Sequence, residues 1–456
     1  MNFLRLVGAL YRPTGVISRT YCPGAPEPCR LSDSLVEALS TAVGLKNIST
    51  SYAVREQHGK DESYHEPQPA DVVVWPESTN AVSKVATICY DNNVPMIPFG
   101  TGTGLESGVS APRGGVCLNL TKMDQVLDLH PEDFDVSVQP GVTRNALNSY
   151  LRDTGLWFPV GRSGCRRLAM RHGGDQRIRH QRRAVRDNAG ERDEHGGRAA
   201  GRNDHQHSRQ GQEDKIMAAV CSFPSVQAAV DTTVMTMQSG IPIARIEFLD
   251  DVMMDACNKF GGLDYPVAPT LFLEFHGSEK NVADQAEAVA EIAQMNEGSD
   301  FQMASDPAQR KKLWSARHNA WYAGLALKPG SKGCATDVCV PISRLPEVIV
   351  ETKEDISKSS LIGPIVGHVG DGNFHSLLII DPDDPAQIEE AHVLHERMAR
   401  RALAVGGTCT GEHGIGLGKR HLLREEMGEG TFNVMKALKH ALDPKNIMNP
   451  EKVIPV

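Results

Sequence analysis

Apolar residues recur along this chain at two spacings, and stretches of the two kinds follow one another. Residues 71–75 form a short β-branched run that reads as a strand. Residues 79–92 then set Val82, Val85 and Ile88 on one face of a helix, and 94–97 reads as a buried strand. A glycine-rich loop over 99–108 leads to strands at 116–120 and 136–139 and to a helix over 142–154. The periodicity then lapses and resumes with a strand at 217–223. A helix at 225–239 follows, with Ser225 placed to cap it, then an alternating strand at 271–275 and helical spacings over 282–295 and 388–403. This order predicts an α+β chain whose motifs lie in the connecting turns.

Composition narrows the class. At about 100–200 residues per domain, 456 residues imply two to four domains. Forty per cent apolar and 23% charged residues exclude global disorder. No apolar run approaches the roughly 18 residues of a membrane-spanning helix. A net charge of −9 argues against nucleic acid as the partner. The ten cysteines show no repeated spacing and no CxxC pair, which fits free thiols in a reducing compartment.

Two segments depart from the average. Residues 1–25 carry Arg5, Arg12 and Arg19 and no acid, the pattern of a mitochondrial transit peptide; Arg12 and Pro13 interrupt the apolar run a secretory signal needs. Residues 162–215 hold thirteen arginines, five histidines and no Phe, Tyr or Trp, with neither period surviving, so no packed structure is expected there. An arginine-rich RNA-binding arm is the functional alternative, but the interleaved aromatics that stack on bases are missing.

Four stretches carry residue types that do chemistry. Pro98, Phe99, Gly100, Thr101, Gly102, Thr103 and Gly104 directly follow a strand. Glycines admit close backbone approach, and successive N–H groups with threonine hydroxyls can cradle a pyrophosphate, although the spacing is not GxGxxG and a plain turn is the alternative. His368 and His375 flank a Gly-Asp-Gly turn between apolar runs, so a hairpin would bring both imidazoles to one point. Glu412 and His413, bracketed by Gly411 and Gly414, offer a carboxylate ligand and a spare base. Two histidines and a carboxylate suffice for Zn²⁺ or Mn²⁺ with positions left open, whereas any one of these histidines alone reads as structural. Arg317, in Trp314-Ser315-Ala316-Arg317-His318, could clamp a small carboxylate in bidentate fashion or merely cover surface.

Taken together these motifs resemble the flavin-linked 2-hydroxy-acid dehydrogenases of the vanillyl-alcohol-oxidase type. The resemblance rests on PFGTGTGLESG at 98–108, LWSARHNAWY at 313–322, TDVCVPISRLP at 336–346, GHVGDGNFH at 367–375, GEHGIGLGKR at 411–420 and DPKNIMNP at 443–450. It covers about 50–160 and 216–456, and implies an FAD-binding domain of two α+β subdomains at 50–160 and a C-terminal substrate domain with an antiparallel sheet at 216–456. The activity implied is oxidation of D-lactate, D-2-hydroxyglutarate or another small D-2-hydroxy acid by hydride transfer to FAD. Electrons would pass to cytochrome c in the mitochondrion, in the matrix or at the inner membrane. Carried over by position, Pro98–Gly104 with Gly108 would hold the FAD pyrophosphate, and Gly141 would lie near the flavin. His368, His375 and Glu412 match the divalent-metal ligands and His413 the general base. Arg317 matches the carboxylate clamp, and Asn373 a contact to the substrate oxygens.

The chain departs from that family after Phe158-Pro159-Val160. The family continues there with a DPGADAS-like stretch whose backbone completes the FAD site; this chain reads GRSGCRRLAMRHGG. The two strings can be written as two reading frames of one nucleotide stretch. Residues 161–215 are therefore read as a frameshifted segment, and without the family's backbone there the expected alternative is a flavin-free, inactive chain.

Overall fold

The computed structural model describes residues 31–156, 158 and 215–455, together with the backbone of 177–179. The expected transit peptide at 1–25 lies outside the described residues, as does 161–214 apart from that backbone. Among the described residues there are three sheets, each formed where β-branched or aliphatic runs find a partner strand.

The first sheet belongs to the N-terminal part. Helix α1 (Asp33–Val43) is capped by the Ser32 hydroxyl, which accepts from the Leu35 amide. After it come β1 (Ile48–Ser49), α2 (Tyr52–His58), β2 (Val72–Val74), α3 (Thr79–Asp91), β3 (Met96–Phe99) and β4 (Val116–Asn119). The strand order is β1-β2-β4-β3. Strands β2, β4 and β3 run parallel, and β1 lies antiparallel at the edge. Val72, Val73 and Val74 are buried on both faces, as a parallel strand demands. Strand β3 starts at Met96, two residues later than the apolar run suggests, because Asn93 takes a left-handed φ of 53° and Pro95 has no N–H to give a ladder.

A second, smaller unit follows: β5 (Val126–His130), β6 (Asp135–Val138), α4 (Arg144–Leu151) and β7 (Arg177–Arg179), in the order β5-β6-β7. Strand β7 corrects the expectation that 162–215 lacks regular structure throughout. A ladder needs only backbone groups, and β6 offers its free edge to residues 177–179.

The third sheet is antiparallel and forms the C-terminal part. Its strands are β8 (Lys215–Ser222), β9 (Arg245–Leu249), β10 (Thr270–Gly277), β11 (Gln302–Ala304), β12 (Lys332–Ala335), β13 (Val338–Cys339), β14 (Ile365–His368) and β15 (Asn373–Ile380). They run β11-β8-β10-β9-β14-β15-β12, with β13 also paired to β15. The intervening helices are α5 (Val226–Gln238), α6 (Asp251–Gly261), α7 (Glu279–Met295), α8 (Pro307–His318), α9 (Ala320–Ala326), α10 (Leu345–Ser357), α11 (Pro385–Ala404) and α12 (Arg420–Leu442). Ser225 caps α5 as expected, its hydroxyl accepting from the Ala228 amide. Strand β10 differs from its alternating pattern and is buried on both faces. Leu271, Leu273 and Phe275 enter one core and Phe272 the other, since helices cover the sheet on either side. The arrangement is the expected α+β one: two small α+β units and an antiparallel C-terminal sheet.

The DPKNIMNP stretch returns to the first sheet. Met96 N–H donates to the Ile447 carbonyl (2.7 Å), Asn449 N–H donates to the Met96 carbonyl (2.8 Å), and Ile447 is buried in the N-terminal core. Asp443 makes the turn by accepting from the amides of Ile447 and Met448.

Candidate active site

The site begins with a hairpin. Strand β14 ends at His368, residues 369–371 form one 3-10 turn, and β15 begins at Asn373. The register pairs His368 with Asn373 and Val366 with His375, so the two-residue strand period puts both imidazoles on one face. Their ring centroids are 5.7 Å apart. Gly372 closes the turn at φ 73°, and a Cβ there would fall 2.2 Å from the Val340 carbonyl oxygen, so only glycine fits.

Glu412 reaches this pair from the loop before α12. Its Oε1 lies 3.3 Å from His368 Nε2 and 3.2 Å from His375 Nε2. The three ligand atoms lie within 4.8 Å of one another. His413, next in the chain, stacks on His375 with centroids 4.6 Å apart and planes 9° from parallel. The segment bends here, and the two side chains meet His375 differently: the Glu412 carboxylate faces its Nε2, while the His413 ring stacks on its face.

Beneath the loop sits Asp337, fully buried between β12 and β13. Its Oδ2 accepts from the Glu412 amide, the His413 amide and the Thr410 hydroxyl, each at 2.8 Å. Its Oδ1 accepts from Asn373 Nδ2 (2.8 Å) and faces His375 Nδ1 at 3.2 Å. Burial by itself pushes this carboxyl up, but His413, Lys419 and His375 outweigh it and hold the group well below the usual carboxylate range. Asn373 is buried, its amide nitrogen committed to Asp337 and the Val338 carbonyl, while its Oδ1 has no hydrogen-bond partner among the described residues.

Arg317 approaches from the last turn of α8. Glu247 on β9 takes its Nε (3.2 Å) and Nη2 (2.9 Å) on one carboxylate oxygen, and with the other holds His368 Nδ1 at 2.7 Å. Arg317 Nη2 lies 3.5 Å from His368 Nε2. The guanidinium, at 12% side-chain exposure, thus stands beside the histidine pair.

The glycine-rich loop meets the same region through Glu106. Its carbonyl accepts from Leu417 N–H (3.0 Å), and its carboxylate pairs with Lys419 Nζ at 2.9 Å. Lys419 is fully buried and also donates to the Asp337 carbonyl (3.3 Å). Burial opposes the lysine charge, but Glu106 and Asp337 outweigh it and keep Lys419 protonated. Burial pushes the Glu106 carboxyl up to about 7 against the pull of Lys419. Gly416, at φ 46°, packs where a Cβ would meet the Glu106 carbonyl at 1.8 Å. Within the loop, residues Phe99 to Gly104 and Gly108 are half-buried, and the Thr101 and Thr103 hydroxyls are 3.1 Å apart. Gly141 is closely packed: a Cβ there would fall 2.6–2.8 Å from the carbonyl oxygens of Leu120, Thr121 and Met123.

Comparison with known proteins bears on this arrangement. Residues 213–453, more than half of the chain, match the family of FAD linked oxidases, C-terminal domain, and residues 70–169 match the FAD binding domain. The chain belongs to the FAD-linked oxidase family. This FAD-linked oxidase is 52% identical to the "Probable D-lactate dehydrogenase, mitochondrial" of Danio rerio over 92% of either chain. It is 38% identical to the "D-lactate dehydrogenase [cytochrome], mitochondrial" of Arabidopsis thaliana, over 90% of this chain and 78% of that one. Among solved structures it shares the fold of 4-ethylphenol oxidase from Gulosibacter chungangensis, with a TM-score of 0.70 at 14% identity over 94% of this chain and 99% of that one. It also shares the fold of p-cresol methylhydroxylase, with a TM-score of 0.66 at 13% identity over 94% and 99%.

A cation and a pyrophosphate both fit the residues of this FAD-linked oxidase. His375 Nε2 is buried without a hydrogen-bond partner among the described residues and faces a carboxylate, an arrangement a cation would complete. The loop 98–104 presents glycine backbone and hydroxyls to a half-buried surface, as a pyrophosphate requires. Sequence reading missed Asp337, Glu247, Lys419 and Glu106. The signal for the first two was an acid isolated in an apolar strand run, ATDVCV and RIEFL.

Proposed function

We propose that this chain oxidises D-lactate to pyruvate with FAD as the hydride acceptor, working in the mitochondrion with cytochrome c as the electron acceptor. The observation carrying this reading is the convergence of His368, His375, Glu412, His413 and Arg317 at one end of the antiparallel sheet, tied by Glu106 to the glycine-rich loop. Relatives named D-lactate dehydrogenase and located by name in mitochondria support the substrate and the compartment. The acid-free, arginine-bearing stretch 1–25 supports import, and peripheral contact with the inner membrane suits the acceptor.

In this reading Arg317 binds the substrate carboxylate, its Nη1 being the guanidinium nitrogen that Glu247 leaves for a ligand. His413 takes the proton from the oxygen of the C2 hydroxyl, a neutral imidazole being a suitable base near pH 7. Asn373 offers its Oδ1 as an acceptor to which the substrate hydroxyl donates on binding, its Nδ2 being committed to Asp337 and the Val338 carbonyl. Pro98–Gly104 and Gly108 would hold FAD, which would supply a two-electron acceptor for the C2 hydride. His368, His375 and Glu412 would hold a divalent cation, Zn²⁺ or Mn²⁺, which supplies Lewis-acid stabilisation of the oxygen that loses its proton.

The test is anaerobic mixing of the purified full chain with D-lactate. Bleaching of the oxidised flavin band is expected, followed by reduction of added cytochrome c. A protein that purifies without flavin, or one bleached by D-2-hydroxyglutarate and not by D-lactate, overturns the reading.

A further inference from the structure

We propose that Asp337 is the positioning residue of this site, a buried carboxylate that sets both the cation ligands and the base in place. Its two oxygens divide the work. Oδ2 gathers the amides of Glu412 and His413 and the Thr410 hydroxyl, three donors from one four-residue segment. The Thr410 hydroxyl in turn accepts from the Gly414 amide (3.0 Å), so the loop is wound around a single carboxylate oxygen. Oδ1 faces His375 Nδ1 and takes Asn373 Nδ2. A carboxylate at Nδ1 favours the tautomer with its proton there and leaves the Nε2 lone pair directed at Glu412 and the cation position. Asp337 acts through Glu412, His413 and His375, the groups it holds.

The geometry is more specific than hydrophobic packing would produce. A fully buried carboxylate that merely stabilised the fold would need donors of any origin, whereas Asp337 draws its donors from the segment bearing Glu412 and His413 and from Asn373 on β15, and faces His375 Nδ1 on the same strand. Lys419, donating to its carbonyl and pairing with Glu106, extends the same anchor to the glycine-rich loop.

The inference rests on the cation and base assignment above, and the test separates the two. Mn²⁺ affinity of the full chain is measured by titration calorimetry for wild type and Asp337→Asn, alongside flavin content and urea midpoint. The amide keeps the size of the side chain but turns N–H groups toward His375 and Asn373, or toward the Glu412 and His413 amides. Mn²⁺ affinity is expected to fall 10- to 100-fold, the usual effect of losing a ligand-orienting carboxylate. Turnover of D-lactate should fall with little change in its KM, and flavin content should stay near wild type. The urea midpoint drops as well, since the lost charge was held by buried donors, so the affinity is read where both chains are fully folded. Affinity within twofold of wild type, or affinity lost only where the chain unfolds, overturns the role. Should Asp337→Asn fail to fold, Thr410→Val removes one donor at the rim of the same cluster. Mn²⁺ binding is then expected to weaken severalfold at unchanged flavin content, and unchanged binding overturns the role. A wild-type chain that binds no Mn²⁺ overturns the cation assignment and this inference together.

Discussion

At the scale of single residues, the site is organised by charges taken out of water in pairs. Glu247 is the clearest case, since one side chain serves both Arg317 and His368. A carboxylate in that position keeps the planar guanidinium aimed, and keeps the His368 proton on Nδ1. Glu247→Gln retains size but loses the charge that holds Arg317. Steady-state kinetics should show KM for D-lactate rising about tenfold or more, the order of 1.5–3 kcal/mol for a charge-assisted hydrogen bond. An unchanged KM would mean that Arg317 keeps its position without Glu247. The sequence reading identified His368, His375, Glu412, His413 and Arg317 as a group, and the fold does bring them together. It could not find Glu247, because nothing in RIEFL says which distant side chain its one acid will face.

At the scale of elements, the hairpin β14–β15 is the piece most legible in advance. Apolar runs on either side of a Gly-Asp-Gly turn determine both the turn and the face that carries the histidines, through the two-residue strand period. Gly372→Ala should therefore cost more than an ordinary surface change. Positive φ and the Val340 carbonyl at 2.2 Å from the added Cβ together disfavour it, by about 1–3 kcal/mol for the backbone strain alone. Lower urea midpoint and weaker Mn²⁺ binding are the expected readouts. Helices α3, α5, α7 and α11 were visible from their periodicity, whereas α8 and α12 were not. Helix α8 carries Lys311, Lys312 and Arg310 in its middle and buries only Leu313, Trp314 and Ala316, so no clean stripe exists. Helix α12 leaves most of its length exposed and bends at Gly428, which takes a non-helical φ of 70°.

At the scale of the whole molecule, stability depends on histidines buried without charge. Burial, with Lys419 adding to it, pushes His395 on α11 down to about 3; burial likewise pushes His65 down to about 4. Unfolded, each imidazole takes a proton below its ordinary value near 6.5, whereas the folded chain excludes it until far lower pH. The unfolded state thus binds more protons in that window, and folding stability falls as pH drops from 6.5. For His395 alone the loss between pH 7 and pH 5 is about 2 kcal/mol. His395→Leu should flatten the pH dependence of the urea midpoint by about that amount, and an unaltered slope would refute the assignment. The seven described cysteines are all buried.

Neighbours along the chain specify the strand and helix periods, the cap at Ser225, the glycine turns, and the motifs that place this chain among FAD-linked oxidases. Tertiary structure decided which remote groups meet. Glu247 is 121 residues from His368, and only the pairing of β9 with β14 brings them within hydrogen-bond distance. The double burial of β10, the return of Ile447 to the first sheet, and the Glu106–Lys419–Asp337 chain were decided in the same way. The physical reason is range. Propensity and period act over a few residues, whereas a charge taken out of water accepts whatever partner the packing of distant elements delivers.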